Sequence, residues 1–179
     1  MRYLRGAPIR GLLYQDHGHI RIESYSNADL AGSPGDRRST TGYCVLVGGN
    51  LMLWKSKKQT VVARSSVESE YKAMAYTTCE LVWMKLLEEL VFPQSSPMNL
   101  FCDNQAAVHI ASNPFFHERT KHIEVDCHFV LEKLLEKVVH TVHVKSADQL
   151  ADLFMKALGG TRVKYICDKL GAYDMYAPT

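Results

Sequence analysis

The chain has 179 residues, with 21 Lys plus Arg against 19 Asp plus Glu and a formal charge of +2. Hydrophobic residues make up 46% and charged residues 22%, a globular balance that excludes a disordered chain or a chain-wide polycation, so any nucleic-acid binding must rest on a local basic surface. No apolar run approaches the ~18 residues of a membrane span, the start Met1-Arg2-Tyr3-Leu4-Arg5-Gly6 lacks a signal-peptide core, and five scattered cysteines predict free thiols inside the cell, cytoplasmic or nuclear.

Taken in chain order, Gly11 to Tyr14 is a short apolar piece and Ile20 to Ala28 alternates as a strand does. Ala31 to Thr40 is turn chemistry throughout. Strands follow at Gly42 to Val47 and Leu51 to Lys55, and Gly48-Gly49-Asn50 between them is a hairpin signal. Lys55 to Lys58 reads as a basic connector. Ser65 or Ser66 then caps a long helix running to about Val91, where Pro93 and Pro97 close it off. Met98 to Cys102 is a short strand ending at Asp103-Asn104. Helices are predicted over Gln105 to Ser112 and Thr120 to Lys137, a strand over Val138 to Val144, and a helix over Asp148 to Leu158. One more short helix fits before Gly171. The order predicts a single α/β domain, a mixed sheet with helices on its faces.

Three acids occupy positions that ordinary surface carboxylates do not favour. Glu70 begins a stripe of Ala73, Met74, Thr77, Leu81 and Met84 at helical spacing, so it points inward. Glu68 lies roughly 200° around the helix and has Lys72 four residues on, a solvent-side pair. Asp103 ends a strand just before a helix, a place where α/β sheets line functional crevices and where helix caps are equally common. Asp152 has Lys156 four residues later, which makes an ordinary surface pair the stronger reading of its pattern. Converging carboxylates from separate elements are how proteins hold divalent metals for phosphodiester hydrolysis.

Arg37, Arg38, Lys55, Lys57 and Lys58 precede the long helix as a cationic group, either a solvated face or a phosphate contact. His117, His122 and His128 match no standard zinc spacing, and no C-x2-C is present, so zinc is not expected. No Gly-rich phosphate loop or nucleophile elbow occurs.

Seven motifs appear in a fixed order: Tyr25-Ser-Asn-Ala-Asp-Leu-Ala-Gly32, Asp36-Arg-Arg-Ser-Thr-Thr-Gly-Tyr43, Trp54-Lys-Ser-Lys-Lys-Gln59, Ser65-Ser-Val-Glu-Ser-Glu-Tyr71, Cys102-Asp-Asn-Gln105, Arg119-Thr-Lys-His-Ile123 and Asp148-Gln-Leu-Ala-Asp-Leu-Phe154. In this the chain closely resembles the RNase H domain of copia-type retrotransposon Pol polyproteins, over nearly its whole length. The resemblance implies an RNase H-like fold: a five-stranded mixed sheet whose first three strands are antiparallel, flanked by helices. It divides the chain into a remnant of the reverse transcriptase connection at 1–18, the RNase H-like domain at 19–159 and a tail at 160–179.

The resemblance further implies hydrolysis of the RNA strand of RNA–DNA hybrids by two metal ions, magnesium or manganese. Its catalytic set maps to Asn27, Glu70, Asp103 and Asp152, with Asp29, Glu70, Asp103 and Asp152 as metal ligands. Arg37, Arg38, Lys55, Lys57, Lys58, Asn104 and Gln105 would contact nucleic acid. The family pattern has Asp where this chain has Asn27, which keeps an oxygen but loses the bridging charge, so impaired activity is expected. Leu30, Ser33, Leu131 and Met155 also depart from that pattern. With the start at Met1, these departures support an alternative expectation: a free-standing, domesticated copy, catalytically silent, that binds nucleic acid or a host protein.

Overall fold

The computed structural model describes residues 10–91, 96–113 and 124–174. Within these the strands are β1 (Arg10–Leu12), β2 (Ile22–Ala28), β3 (Thr40–Val47), β4 (Asn50–Lys58), β5 (Met98–Cys102), β6 (Val139–His143) and β7 (Ala172–Asp174). The helices are α1 (Ser66–Val91), α2 (Gln105–Ala111), α3 (Glu124–Leu135) and α4 (Gly160–Lys169). Five strands form one sheet in the order β4-β3-β2-β5-β6. β2, β3 and β4 are antiparallel neighbours, and β5 runs parallel to both β2 and β6. The fold class expected from the sequence is therefore present.

Each strand pairing has a local cause. Gly48 and Gly49 take φ of 57° and 76°, the left-handed backbone that a two-residue hairpin turn between twisted strands requires. β3 alternates its side chains between two cores. Val45 joins Tyr71, Met74, Leu81 and Leu100 beneath α1, α2 and α3. Cys44 and Leu46 join Leu150, Phe154, Ile166 and Leu170 on the other face. Burying large aliphatic side chains contributes ~1.5–3 kcal/mol each, so both faces of the sheet are held.

Three expectations need correction. Lys55 to Lys58 is not a connector but the second half of β4, paired as far as Thr40↔Lys58. β4 is an edge strand, and edges tolerate lysines because one side of their backbone faces water. Asp148 to Leu158 is not one helix but two 3₁₀ turns, Ser146–Asp148 and Leu150–Phe154. Gln149 divides them with extended backbone, because its side chain accepts from Ala151 N and donates to Ser26 O at 3.0 Å. Those bonds replace the helical ones and fasten the turn to β2. Glu68 and Lys72 are paired at 2.8 Å as expected, but both are buried rather than solvent-facing. Helix α3 packs on α1 and brings Asp126 within electrostatic reach of Lys72, which the periodicity of α1 alone does not reveal.

Helix α1 starts at a cap: Ser65 Oγ accepts from Glu68 N at 3.1 Å, while Glu68 accepts from Arg64 N at 2.7 Å. The expected helix over 120–137 begins at Glu124 among the described residues, and 120–123, like His117, His122, Arg119 and Pro93, lie outside them. β1 pairs with β7, so the stretch before Gly18 and the stretch after Gly160 meet in a two-stranded ribbon.

Candidate active site

The carboxyl ends of the parallel neighbours β2 and β5 bring the site together, the place where open α/β sheets form their crevices. Asn27 is the penultimate residue of β2, and Asp103 follows the last residue of β5. Glu70 reaches this end from the first turns of α1, where its Oε2 accepts from Ala28 N at 3.1 Å. Asp152 approaches from the opposite face of the sheet, on the second 3₁₀ turn. Its approach depends on Gly42, Asn27's register partner. A Cβ there would stand 2.8 Å from Ala151 O and 3.1 Å from Met155 Cγ.

The site has two dissimilar halves. In the first, Glu70, Cys102 and Asp103 each place a ligand atom within 4.8 Å of the others. Glu70 is 6% exposed, and burial pushes its carboxyl up to about 8, with the Ala28 N–H opposing and Asp103 adding to the rise. Burial also raises the Cys102 thiol, helped by Glu70. An open cleft of about 540 Å³ lies over this half, lined by Glu70, Asp103, Asn104, Gln105, Ala106 and His143.

In the second half, Asp152 is already engaged. Its Oδ1 accepts from Asn27 Nδ2 at 2.7 Å and lies 2.7 Å from Lys156 Nζ. Its Oδ2 is 3.8 Å from the Arg162 guanidinium. Asn27 is 1% exposed, and its Oδ1 is buried with no hydrogen-bond partner. Turning the amide over would bring two acceptor oxygens face to face, so this hydrogen bond fixes its orientation.

Glu70 and Asp103 are placed where they could hold a divalent cation. Two carboxylates and the Cys102 thiol sit close together beside a polar cleft, and Asn27 Oδ1 is one of five buried side-chain oxygens without a hydrogen-bond partner among the described residues.

Comparison with known proteins agrees with this architecture. The Pol polyprotein of transposon RE1 from Arabidopsis thaliana is 40% identical over 172 residues, 96% of this chain. The chain is related to copia-type retrotransposon Pol polyproteins. It spans only 12% of the length of that relative. Among solved structures, the N-terminal RNase H domain of a Mycobacterium tuberculosis protein superposes with a TM-score of 0.55 at 11% identity, covering 83% of this chain and 97% of that one. LC11-RNase H1, solved with an RNA/DNA hybrid, gives 0.50 at 16% identity, covering 75% of this chain and 94% of its own. The fold is that of RNase H. No family model matches the chain.

Within this RNase H fold the other expected residues fall in distinct places. Asp29 is not part of the acidic cluster. Its Oδ1 accepts from Thr40 N, and its carboxylate folds back over Gly32. Asn104 caps α2 by accepting from Ala107 N at 3.0 Å, and Gln105 is exposed on the cleft wall. Lys58 and Arg38 both turn to Asp36, at 2.9 and 3.8 Å. Lys55 lies 3.4 Å from Glu80, and Lys57 sits over the Tyr76 ring at 4.9 Å. Arg37 is exposed, with φ of 56° at the tip of the β2–β3 turn.

Sequence reasoning missed His143 and Gly42. His143 is the last residue of β6, paired with Cys102 in register, and a histidine ending a parallel strand beside the Asp103 strand was the available signal. Gly42 carried no signal without knowledge that the Asp152 turn packs on it. Among the described residues, no helix is long and apolar enough to cross a membrane.

Proposed function

We propose that this chain is an RNase H-type endonuclease domain that hydrolyses the RNA strand of RNA–DNA hybrids, with its rate lowered by Asn27. The observation that carries the reading is the meeting of Glu70 and Asp103 at the ends of β5 and α1, with Asp152 arriving across β2 from the other face. Glu70 and Asp103 would hold the cation, with the Asn27 oxygen as a neutral donor. Bound magnesium or manganese supplies Lewis acidity to a scissile phosphate. Asp29 is a weaker candidate ligand, since its carboxylate already accepts from Thr40 N.

The remaining residues position the substrate. Arg37 and Lys57 are placed to meet phosphates, and Arg38, Lys55 and Lys58 add positive charge whose neighbouring acids reduce it. Asn104 and Gln105 form the cleft wall at Asp103; side-chain contacts of this kind to 2′-hydroxyls would distinguish RNA from DNA. The reading implies an intracellular protein.

One observation favours a second reading, a catalytically silent copy that binds nucleic acid or a host protein: Asp152 is already neutralised by Lys156. Cleavage of a labelled RNA–DNA hybrid in magnesium separates the two. A hydrolase is expected to cut slowly and to stop cutting in Glu70→Gln. A silent module is expected to retain the hybrid uncut in a binding assay, with no difference between the two proteins in the cleavage assay.

A further inference from the structure

We infer that the site holds one divalent cation rather than a pair, because Lys156 and the Asn27 amide occupy the place of the second. The inference rests on the proposed function, in that it assumes a cation-binding site at Glu70 and Asp103.

Asn27 carries the first part of the argument. To bridge two cations, a side chain must present an acceptor to each. A carboxylate has two such oxygens, whereas an amide has one oxygen and one donor arm. Here the donor arm is committed: Nδ2 gives its hydrogen to Asp152 Oδ1 at 2.7 Å. Only Oδ1 remains to accept, it is buried without a partner, and it carries no net charge. Asn27 can therefore donate to a cation but supplies no charge to offset the repulsion between two.

Asp152 carries the second part. Its Oδ1 receives both the amide and the Lys156 ammonium, each at 2.7 Å, and Oδ2 faces Arg162 at 3.8 Å. The carboxylate already has a full positive charge at contact distance. A divalent ion arriving there would have to displace Lys156 and would meet its charge on approach.

The other half of the site is different. Among the described residues, no lysine, arginine or histidine lies within 4 Å of the Glu70 or Asp103 carboxylate. Their oxygens, with Cys102 Sγ, lie within 4.8 Å of one another. Lys156 also acts on Glu70 through space, but only Asp152 has its ammonium at contact distance, so one place is open to a cation and the other is held by the protein's own charge. Lys156 is thus a positioning residue that sets how many ions the site takes.

The test is manganese binding to the full chain, counted by the loss of the free-ion electron paramagnetic resonance signal. The chain as it stands is expected to bind one equivalent. Asn27→Asp combined with Lys156→Met is expected to bind two, with the spectrum of a coupled pair. Should that double variant not fold, Lys156→Met alone serves, since this side chain is 39% exposed; it is expected to take a second, weaker equivalent. Two equivalents on the unaltered chain would overturn the inference and leave the proposed function standing. A single equivalent on every folded variant would overturn the role given to Lys156. No binding at all would overturn both the inference and the cation-dependent function it rests on.

Discussion

Asn27 Nδ2 lies 2.7 Å from Asp152 Oδ1 inside the protein, although the two residues are 125 positions apart. That hydrogen bond joins the end of β2 to the 3₁₀ turn from the other face of the sheet. The neutral amide donates to Asp152 where a second carboxylate would repel it.

Asn27→Asp is expected to reverse this. Two buried carboxyls at that distance, with Lys156 as the only ammonium in contact with Asp152 among the described residues, favour a further cation or a proton between them. Losing a hydrogen bond to a charged group costs ~2 kcal/mol, which lowers Tm by roughly 5 °C for a chain of this size. Calorimetry with and without magnesium checks it: the variant is expected to recover most of the loss on adding the ion, and the unaltered chain to respond less.

Glu70 predicts a pH dependence. Its carboxyl moves from an ordinary 4.5 to about 8 in the folded protein. Between those values the folded state holds a proton that the unfolded state has released, so stability falls as pH rises across that window. Without metal, Glu70→Gln is expected to flatten this part of the Tm-against-pH curve. Cation affinity is expected to rise over the same range, because the ion competes with the proton on Glu70. A binding series across that window measures it.

Gly42→Ala is expected to damage the site from a distance. A methyl group there would press on Ala151 O and Met155, and the backbone carrying Asp152 would have to move. Overpacking of this kind costs ~1–3 kcal/mol. Urea denaturation reads the stability loss, and the Asn27–Asp152 hydrogen bond is expected to be lost from the variant's structure.

Lys72→Met tests a pair that lies buried beneath α3. Removing one partner leaves Glu68 charged and enclosed, and breaking such pairs costs ~3–5 kcal/mol. Equilibrium unfolding checks the size. A loss below half a kcal/mol would mean that water reaches the pair.

The sequence carried the sheet and the long helix because their signals are local. Alternation marked β2, glycines marked the β3–β4 turn, and the three- and four-residue steps after Glu70 marked the inward face of α1. Asp103 was legible as a strand-end acid. Asp152 was not, because its pattern fits a surface helix and its burial comes from packing against Gly42 and from the bond of Gln149 to Ser26, both on distant strands. The buried state of Lys72 was hidden for the same reason, since α3 supplies the cover. The lysines of β4 looked like a connector because composition does not distinguish an edge strand from a loop.

The measurement that tests the central claim most directly is cleavage of a labelled RNA–DNA hybrid in magnesium by the chain, by Asn27→Asp and by Asn27→Asp with Glu70→Gln. Restoring one charge at the site is expected to raise the rate by about 100-fold, equivalent to ~2.7 kcal/mol of transition-state stabilisation, and removing Glu70 is expected to abolish the gain. An Asn27→Asp protein that binds the hybrid but cuts no faster, or one whose cutting survives the loss of Glu70, would contradict the account.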